Sequence, residues 1–145
     1  IMECEMPQVN SNTQEIKQIL EETKTIAVVG CSPNPEKASN RVANYLKNAG
    51  YTMIPIYPKE DEILGEKVYR SLADVPSDIK IDMVDIFRKA NVIDLVVDAS
   101  IERGDVKCVW TQLGLVNNEA ATKAIDAGLK VVQNHCTKIE HANLI

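Results

Sequence analysis

Residues 26–29, Ile-Ala-Val-Val, form an unbroken apolar run that ends on Gly30. Four residues are too few for a buried helix, and a strand without polar alternation must be covered on both faces, as strands of a parallel sheet are. The run therefore demands further strands beside it and helices above and below it. The rest of the chain supplies both. Tyr51–Tyr57, Ile81–Phe87, Val106–Trp110 and Leu129–Gln133 are largely apolar, and segments of helical periodicity separate them. The expected architecture is a doubly wound α/β domain, a mainly parallel five-stranded sheet with helices on both faces.

The first helix is expected within residues 11–24. Asn12 with Glu15, or Ser11 with Gln14, has capping-box spacing, and Ile16, Ile19 and Leu20 make one apolar face. Residues 1–10 show no periodicity and read as a flexible lead-in. Val42, Tyr45, Leu46 and Ala49 recur at helical spacing before Gly50, and Val92, Leu95, Val96 and Ala99 do so before Gly104. Ala120, Ala121, Ala124 and Ala127 precede Gly128 after a cap at Asn117 or Asn118, and Lys138–Leu144 adds a last turn or two. Pro55 sits inside the second strand, where it cannot donate to the ladder, so an irregularity is expected there. Residues 59–80 hold no long helix, only a turn at Gly65 and a helical turn at SLADVP, and form a loop able to cover a ligand. The helix over 92–101 also carries Ile93, Val97 and Ile101. Deep packing would bury this wide apolar surface, and so would a partner subunit in a homodimer.

A chain of 145 residues fits one domain, 1–145. Its net charge of -5 argues against broad nucleic-acid binding, which needs a basic stripe. No apolar run reaches the length of a membrane span, and IMECEMPQ has neither a cationic start nor an apolar signal core, so a cytoplasmic location is expected. Cys4, Cys31, Cys108 and Cys136 are widely spaced and read as reduced thiols. Cys136 with His135 and His141 lacks a second ligand cluster, so no metal is expected.

Ligands of such sheets lie beyond the carboxyl ends of the strands, where strand order reverses. The first loop, Gly30–Ser39, offers backbone N–H groups and the positive end of a helix dipole, with Ser32, Lys37 and Ser39 adding hydroxyls and a cation. Of the fingerprint G-x-G-x-x-G only the first glycine is present, since Ser32 and Pro35 stand at the other two positions. The loop alone therefore does not separate a phosphate site from a plain strand-to-helix connection. The second strand ends in Tyr57, Pro58 and Lys59. An acid that would hold a ribose hydroxyl is missing there, a lysine suits a ribose phosphate, and Tyr57 with Pro58 offers adenine a flat apolar surface. Arg88 follows the third strand either as a phosphate clamp or as the partner of Asp85. Thr111 and Gln112 close the crevice, and Trp110 reads as core. No catalytic set emerges. Cys31 is either a thiol activated at a helix N-terminus or a small packed side chain.

The segments GCSPNPEKASNRVANYLKNAGY, IPIYPKEDEILGEKVYRSLADVP, VDIFR, VWTQLG, NNEAATKAIDAGLKVV and HC, in that order, closely resemble the small single-domain CoA-binding proteins. Those in turn resemble the CoA-binding domain of the succinyl-CoA ligase alpha chain. The resemblance covers Thr25 to Ile139 and implies a Rossmann-like domain that binds coenzyme A with its pyrophosphate on the first loop. By that resemblance Gly30, Cys31, Ser32, Lys37, Ser39 and Asn40 line the phosphates. Tyr57, Pro58 and Lys59 take the adenosine part, Ile86, Phe87 and Arg88 form the opposite wall, and Gln112 lies nearby. Family members commonly carry arginine at the place of Lys37 and methionine at that of Thr111. The ligase relatives use a phosphohistidine from a second domain, which this sequence does not contain, so their activity is not inherited. Non-catalytic binding of coenzyme A or an acyl-CoA is the leading expectation. The alternatives are a nicotinamide-dependent enzyme, an acyl-transfer enzyme working through Cys31, and a dimeric interaction protein with a vestigial pocket.

Overall fold

The computed structural model describes Pro7 and residues 10–145. Its elements run in the order α1 (Thr13–Glu22), β1 (Thr25–Val29), α2 (Ala38–Asn48), β2 (Thr52–Ile56), β3 (Glu62–Ile63) and β4 (Glu66–Lys67). A 3-10 turn at Leu72–Asp74 leads to β5 (Met83–Ile86), α3 (Ala90–Arg103), β6 (Cys108–Thr111), α4 (Asn118–Asp126), β7 (Lys130–Val132) and α5 (Thr137–Leu144). Five strands form one sheet in the order β2-β1-β5-β6-β7, and every pairing in it is parallel. This is the doubly wound α/β sheet that the apolar runs require.

Alternation along the strands sorts the core into two layers. Ala27, Val29, Ile54, Ile56, Val84, Ile86, Val109 and Val131 pack with Ile93 and Val97 of α3 and with Ala120, Ala121 and Ala124 of α4. Ile26, Val28, Met53, Met83, Cys108, Trp110 and Val132 face the other way, onto Ile16, Ile19 and Leu20 of α1 and Val42, Ala43 and Leu46 of α2. Small alanines let α4 approach the sheet closely, whereas Trp110, fully buried, fills the wider opposite layer and donates from Nε1 to the His135 carbonyl at 2.8 Å. Of the two capping boxes the sequence allows, the structure forms Asn12 with Glu15; Asn117 caps α4.

Several expectations are corrected. β2 is regular through Pro55, which pairs in register with Val28. The reason is its place on an edge strand. The Pro55 carbonyl accepts outward, from Tyr69 N–H at 3.1 Å, so the missing N–H also points away from β1, where no ladder bond is lost. The 59–80 segment is not a plain loop: β3 and β4 pair as a hairpin about Leu64 and Gly65, both at positive φ (55° and 76°), the signature of a type I′ turn. Lys47 fastens this hairpin to α2 by bonds to the Leu64 carbonyl (2.6 Å) and to Glu66 (3.0 Å). Deep packing absorbs only part of the apolar α3 surface: Ile93 and Val97 are buried, while Leu95 is 67% exposed. The lead-in over residues 1–10 lies outside the described residues apart from Pro7 and Asn10. Asn10 is docked, its amide exchanging two 2.9 Å bonds with the Gln133 backbone, and Ser11 Oγ donates to the Val131 carbonyl at 3.0 Å. Among the described residues no helix is long and apolar enough to cross a membrane.

Candidate functional site

β1 and β5 are neighbours, yet the chain leaves β1 toward β2 on one side and leaves β5 toward β6 on the other. The loops that follow these two strands therefore diverge and open a crevice at the carboxyl edge of the sheet. Gly30 is what lets them start so close together. Its φ is +86°, and a Cβ built there would stand 2.6 Å from the Phe87 carbonyl oxygen and 3.0 Å from Arg88 Cδ. Any side chain at this position would drive the β1 and β5 ends apart and displace the stem of Arg88.

The first loop is braced from within. Ser39 Oγ accepts from Ser32 N–H at 2.9 Å, and the Asn40 amide donates to the Ser32 carbonyl at 2.8 Å. Ser32 Oγ accepts from Asn34 N–H, and Asn34 accepts in turn from Glu36 N–H. The backbone reaches the start of α2 already fixed, and no side chain caps that helix at Lys37. On the far side, Arg70 donates to the carbonyls of Tyr57, Lys59 and Glu60 at 3.2, 3.0 and 2.7 Å and holds the strand end that carries Tyr57 and Pro58.

The result is a cavity of about 420 Å³ walled by Gly30, Ser32, Lys37 and Ser39 from the first loop, Tyr57 and Pro58 from the second, and Phe87 and Arg88 from the third. Neither Lys37 nor Arg88 forms an ion pair among the described residues. Two cations thus face one cavity without internal neutralisation, beside a helix N-terminus. This arrangement suits a polyanion such as a pyrophosphate. A larger cavity, about 750 Å³, lies at the amino edge of the sheet beside Arg103. There the guanidinium is spent on Asp105 and on the carbonyls of Leu72, Val75 and Ile79, which clamps the segment before β5.

Other sequence candidates lie off the cavity wall. Ile86 is fully buried in the sheet core, and Asn40 works beneath the loop. Lys59 is exposed at the rim. The Cys31 side chain points into the core; burial, reinforced by the charge of Asp85, pushes its pKa up to about 12. The thiol activated at a helix N-terminus is thus overturned, and Cys31 is the small packed side chain. Arg88 does not pair with Asp85. That carboxyl is fully buried at the centre of the sheet, accepting from the Gln112 amide and, at 2.9 Å, from Thr137 Oγ1. Burial raises its pKa to about 7, against the lowering effect of these two bonds. Gln112 is therefore anchored by Asp85 and Thr137, and its stem helps to wall a second, more apolar cavity of about 400 Å³ that shares Ala38, Phe87 and Arg88 with the first. His141 Nδ1 meets Tyr45 Oη at 2.9 Å and His135 faces Glu140 at 3.5 Å; among the described residues no three potential metal ligands converge.

Arg70 and Thr137 escaped the sequence reading, and Asp85 entered it only as a partner for Arg88, because the residues they bond are distant in the chain. The only hint was the second of two aspartates in the run IDMVDIF, flanked on both sides by apolar residues.

Known proteins share these features. A family described as CoA binding domain matches residues 24–142, which take in every loop of the crevice. YneT of Bacillus subtilis is 39% identical over 133 residues, 92% of this chain and 96% of its own length. The structure of a hypothetical protein from Pyrococcus horikoshii OT3 superposes with a TM-score of 0.88 at 41% identity and covers 99% of both chains. The alpha subunit of acetate-CoA ligase (ADP-forming) II from Pyrococcus furiosus is 26% identical over 134 residues, 82% of this chain and 28% of that subunit.

Proposed function

Since this chain belongs to the CoA binding domain family, homologous to the corresponding part of ADP-forming acetate-CoA ligase alpha subunits, we propose that it binds coenzyme A or an acyl-CoA at the carboxyl edge of its sheet and performs no chemistry on it. The observation that carries this reading is the convergence of Lys37 and Arg88, neither of them ion-paired among the described residues, on a pre-braced glycine loop at a helix N-terminus. In this reading the pyrophosphate takes the loop amides and Lys37, while Arg88 clamps it from the third strand. Tyr57 and Pro58 receive the adenine, and Lys59 at the rim reaches the ribose phosphate. The absence of a reaction is supported by chemistry already described: Cys31 is held as a neutral thiol, and Asp85 is sealed behind Gln112 and Thr137.

Isothermal titration with CoA is expected to give one site per chain. Arg88→Ala and Lys37→Ala each remove a charge-assisted contact worth about 1.5–3 kcal/mol, so each weakens binding about ten- to a hundredfold. Heat with NAD and none with CoA would overturn the assignment of the ligand. Turnover of an acyl-CoA by the purified protein would overturn the absence of chemistry.

A further inference from the structure

Gln112 joins the second cavity to the buried centre of the sheet. Its side chain is 5% exposed, and its Nε2 donates inward to Asp85 and, at 3.1 Å, to Thr137 Oγ1. Its Oε1 accepts from no group among the described residues, although Gln112 lines a cavity walled mainly by apolar side chains, Val42, Leu113 and Leu115 among them, and by the cations Arg88 and Lys89. A buried acceptor without a donor is costly, so this oxygen calls for a hydrogen-bond donor on whatever fills the cavity.

The orientation of that amide is dictated from behind. Asp85, fully buried, accepts from Gln112 on one oxygen and from Thr137 on the other. As a carboxylate it can only accept, which turns the Gln112 nitrogen inward and the oxygen outward. A proton on the oxygen that faces Thr137 would leave the Thr137 hydroxyl hydrogen without its acceptor. A proton on the oxygen that faces Gln112 meets an N–H unless the amide makes a half-turn, after which Oε1 accepts from Asp85 and Nε2 faces the cavity. The half-turn keeps the Thr137 bond to Asp85 and loses only the longer one from Gln112 to Thr137. Few other groups bear on this proton. Cys31 beyond β1 and Cys108 on β6 face Asp85, and burial holds both as neutral thiols. On their sides of this layer α1 and α2 bring apolar residues such as Leu20 and Val42, and His135 and His141 are engaged by Glu140 and Tyr45. Arg88 and Lys89 line the cavity without pairing with Asp85.

We infer that Asp85 is a positioning residue for the second cavity: its proton decides, through Gln112, whether the wall offers a ligand an acceptor or a donor. The ligand half of this inference rests on the CoA reading above. The arm that leaves the pyrophosphate of CoA carries a hydroxyl and amide N–H groups, which donate to Oε1, so binding favours ionised Asp85 and weakens as the carboxyl takes up its proton.

Titration calorimetry of the full chain with dephospho-CoA, whose pyrophosphate diester does not titrate between pH 5 and pH 8, tests this. The affinity is expected to be about three- to eightfold higher at pH 8 than at pH 5. In Asp85→Asn, whose amide donates at both pH values, the two affinities agree within about twofold at the weaker value. The resonance of the Gln112 side-chain NH2 reports the half-turn with neither ligand nor substitution: it shows contact with Thr137 at pH 8 and loses it at pH 5. Equal affinities at the two pH values, a pH dependence that survives Asp85→Asn, or an NH2 that stays beside Thr137 at both would overturn the positioning role while leaving CoA binding intact. If dephospho-CoA binds at neither pH, the CoA reading falls and the resonance alone decides the positioning role.

Discussion

A methyl group on Gly30 has nowhere to go, because the Phe87 carbonyl lies 2.6 Å from where its Cβ would stand and the backbone is left-handed there. Gly30→Ala is therefore expected to cost about 2–4 kcal/mol from the strained φ and the overpacking together, read as a lower denaturant midpoint, and to abolish CoA binding. Asp85 carries the second residue-level consequence. Its carboxyl titrates near 7 in the fold against 3.8 when free. Between those values the folded state binds more protons than the unfolded one, so this group's contribution is full below about pH 4, is lost as pH rises through 7, and amounts to about 4 kcal/mol. Denaturation at pH 5 and pH 8 is expected to show the protein less stable at pH 8, and Asp85→Asn is expected to flatten that difference. An unchanged pH dependence in the variant would refute this. Gly30 was legible in the sequence because it ends an apolar run. The anchoring of Gln112 was not, because Asp85 and Thr137 lie 52 residues apart and nothing in either local segment names the other.

At the level of elements, the strands and helices were legible because each buried run contrasts with the amphipathic segments beside it. The β3–β4 hairpin was not, since two-residue strands carry no period and its turn has leucine where asparagine or aspartate usually signals one. Pro55 misled for a related reason: a sequence shows that a proline is in a strand but not which side of the strand is empty. Arg103, at the end of α3, ties the segment before β5 to that helix through three carbonyls and Asp105, with its side chain only 8% exposed. Arg103→Ala is expected to cost about 1–3 kcal/mol, because three carbonyls lose their donor and half-buried Asp105 loses its partner, and to speed amide exchange over residues 72–79 before the rest of the chain.

For the whole molecule, four loops scattered from residue 30 to residue 112 become one rim only because the strand order places β1 beside β5. The alternation of strands and helices predicted such a rim, and it brought Gly30, Lys37, Tyr57 and Arg88 together. What alternation does not predict is the division of that rim into a cationic chamber and an aliphatic one, which depends on side-chain direction. Binding at this rim links to global stability. At a free CoA concentration a hundred times the dissociation constant, the fold should gain about 2.7 kcal/mol, seen as a rise of roughly 8 °C in melting temperature, and high salt should reduce the gain. Finally, both margins of the sheet are partly occupied. Along β2 the proline and the Tyr69 bridge occupy the outer side, and along β7 the side chains of Asn10 and Ser11 take the outward backbone groups. Copies of this chain would have to displace these bonds before extending one another's sheets, so stacking into ribbons is opposed at its first step.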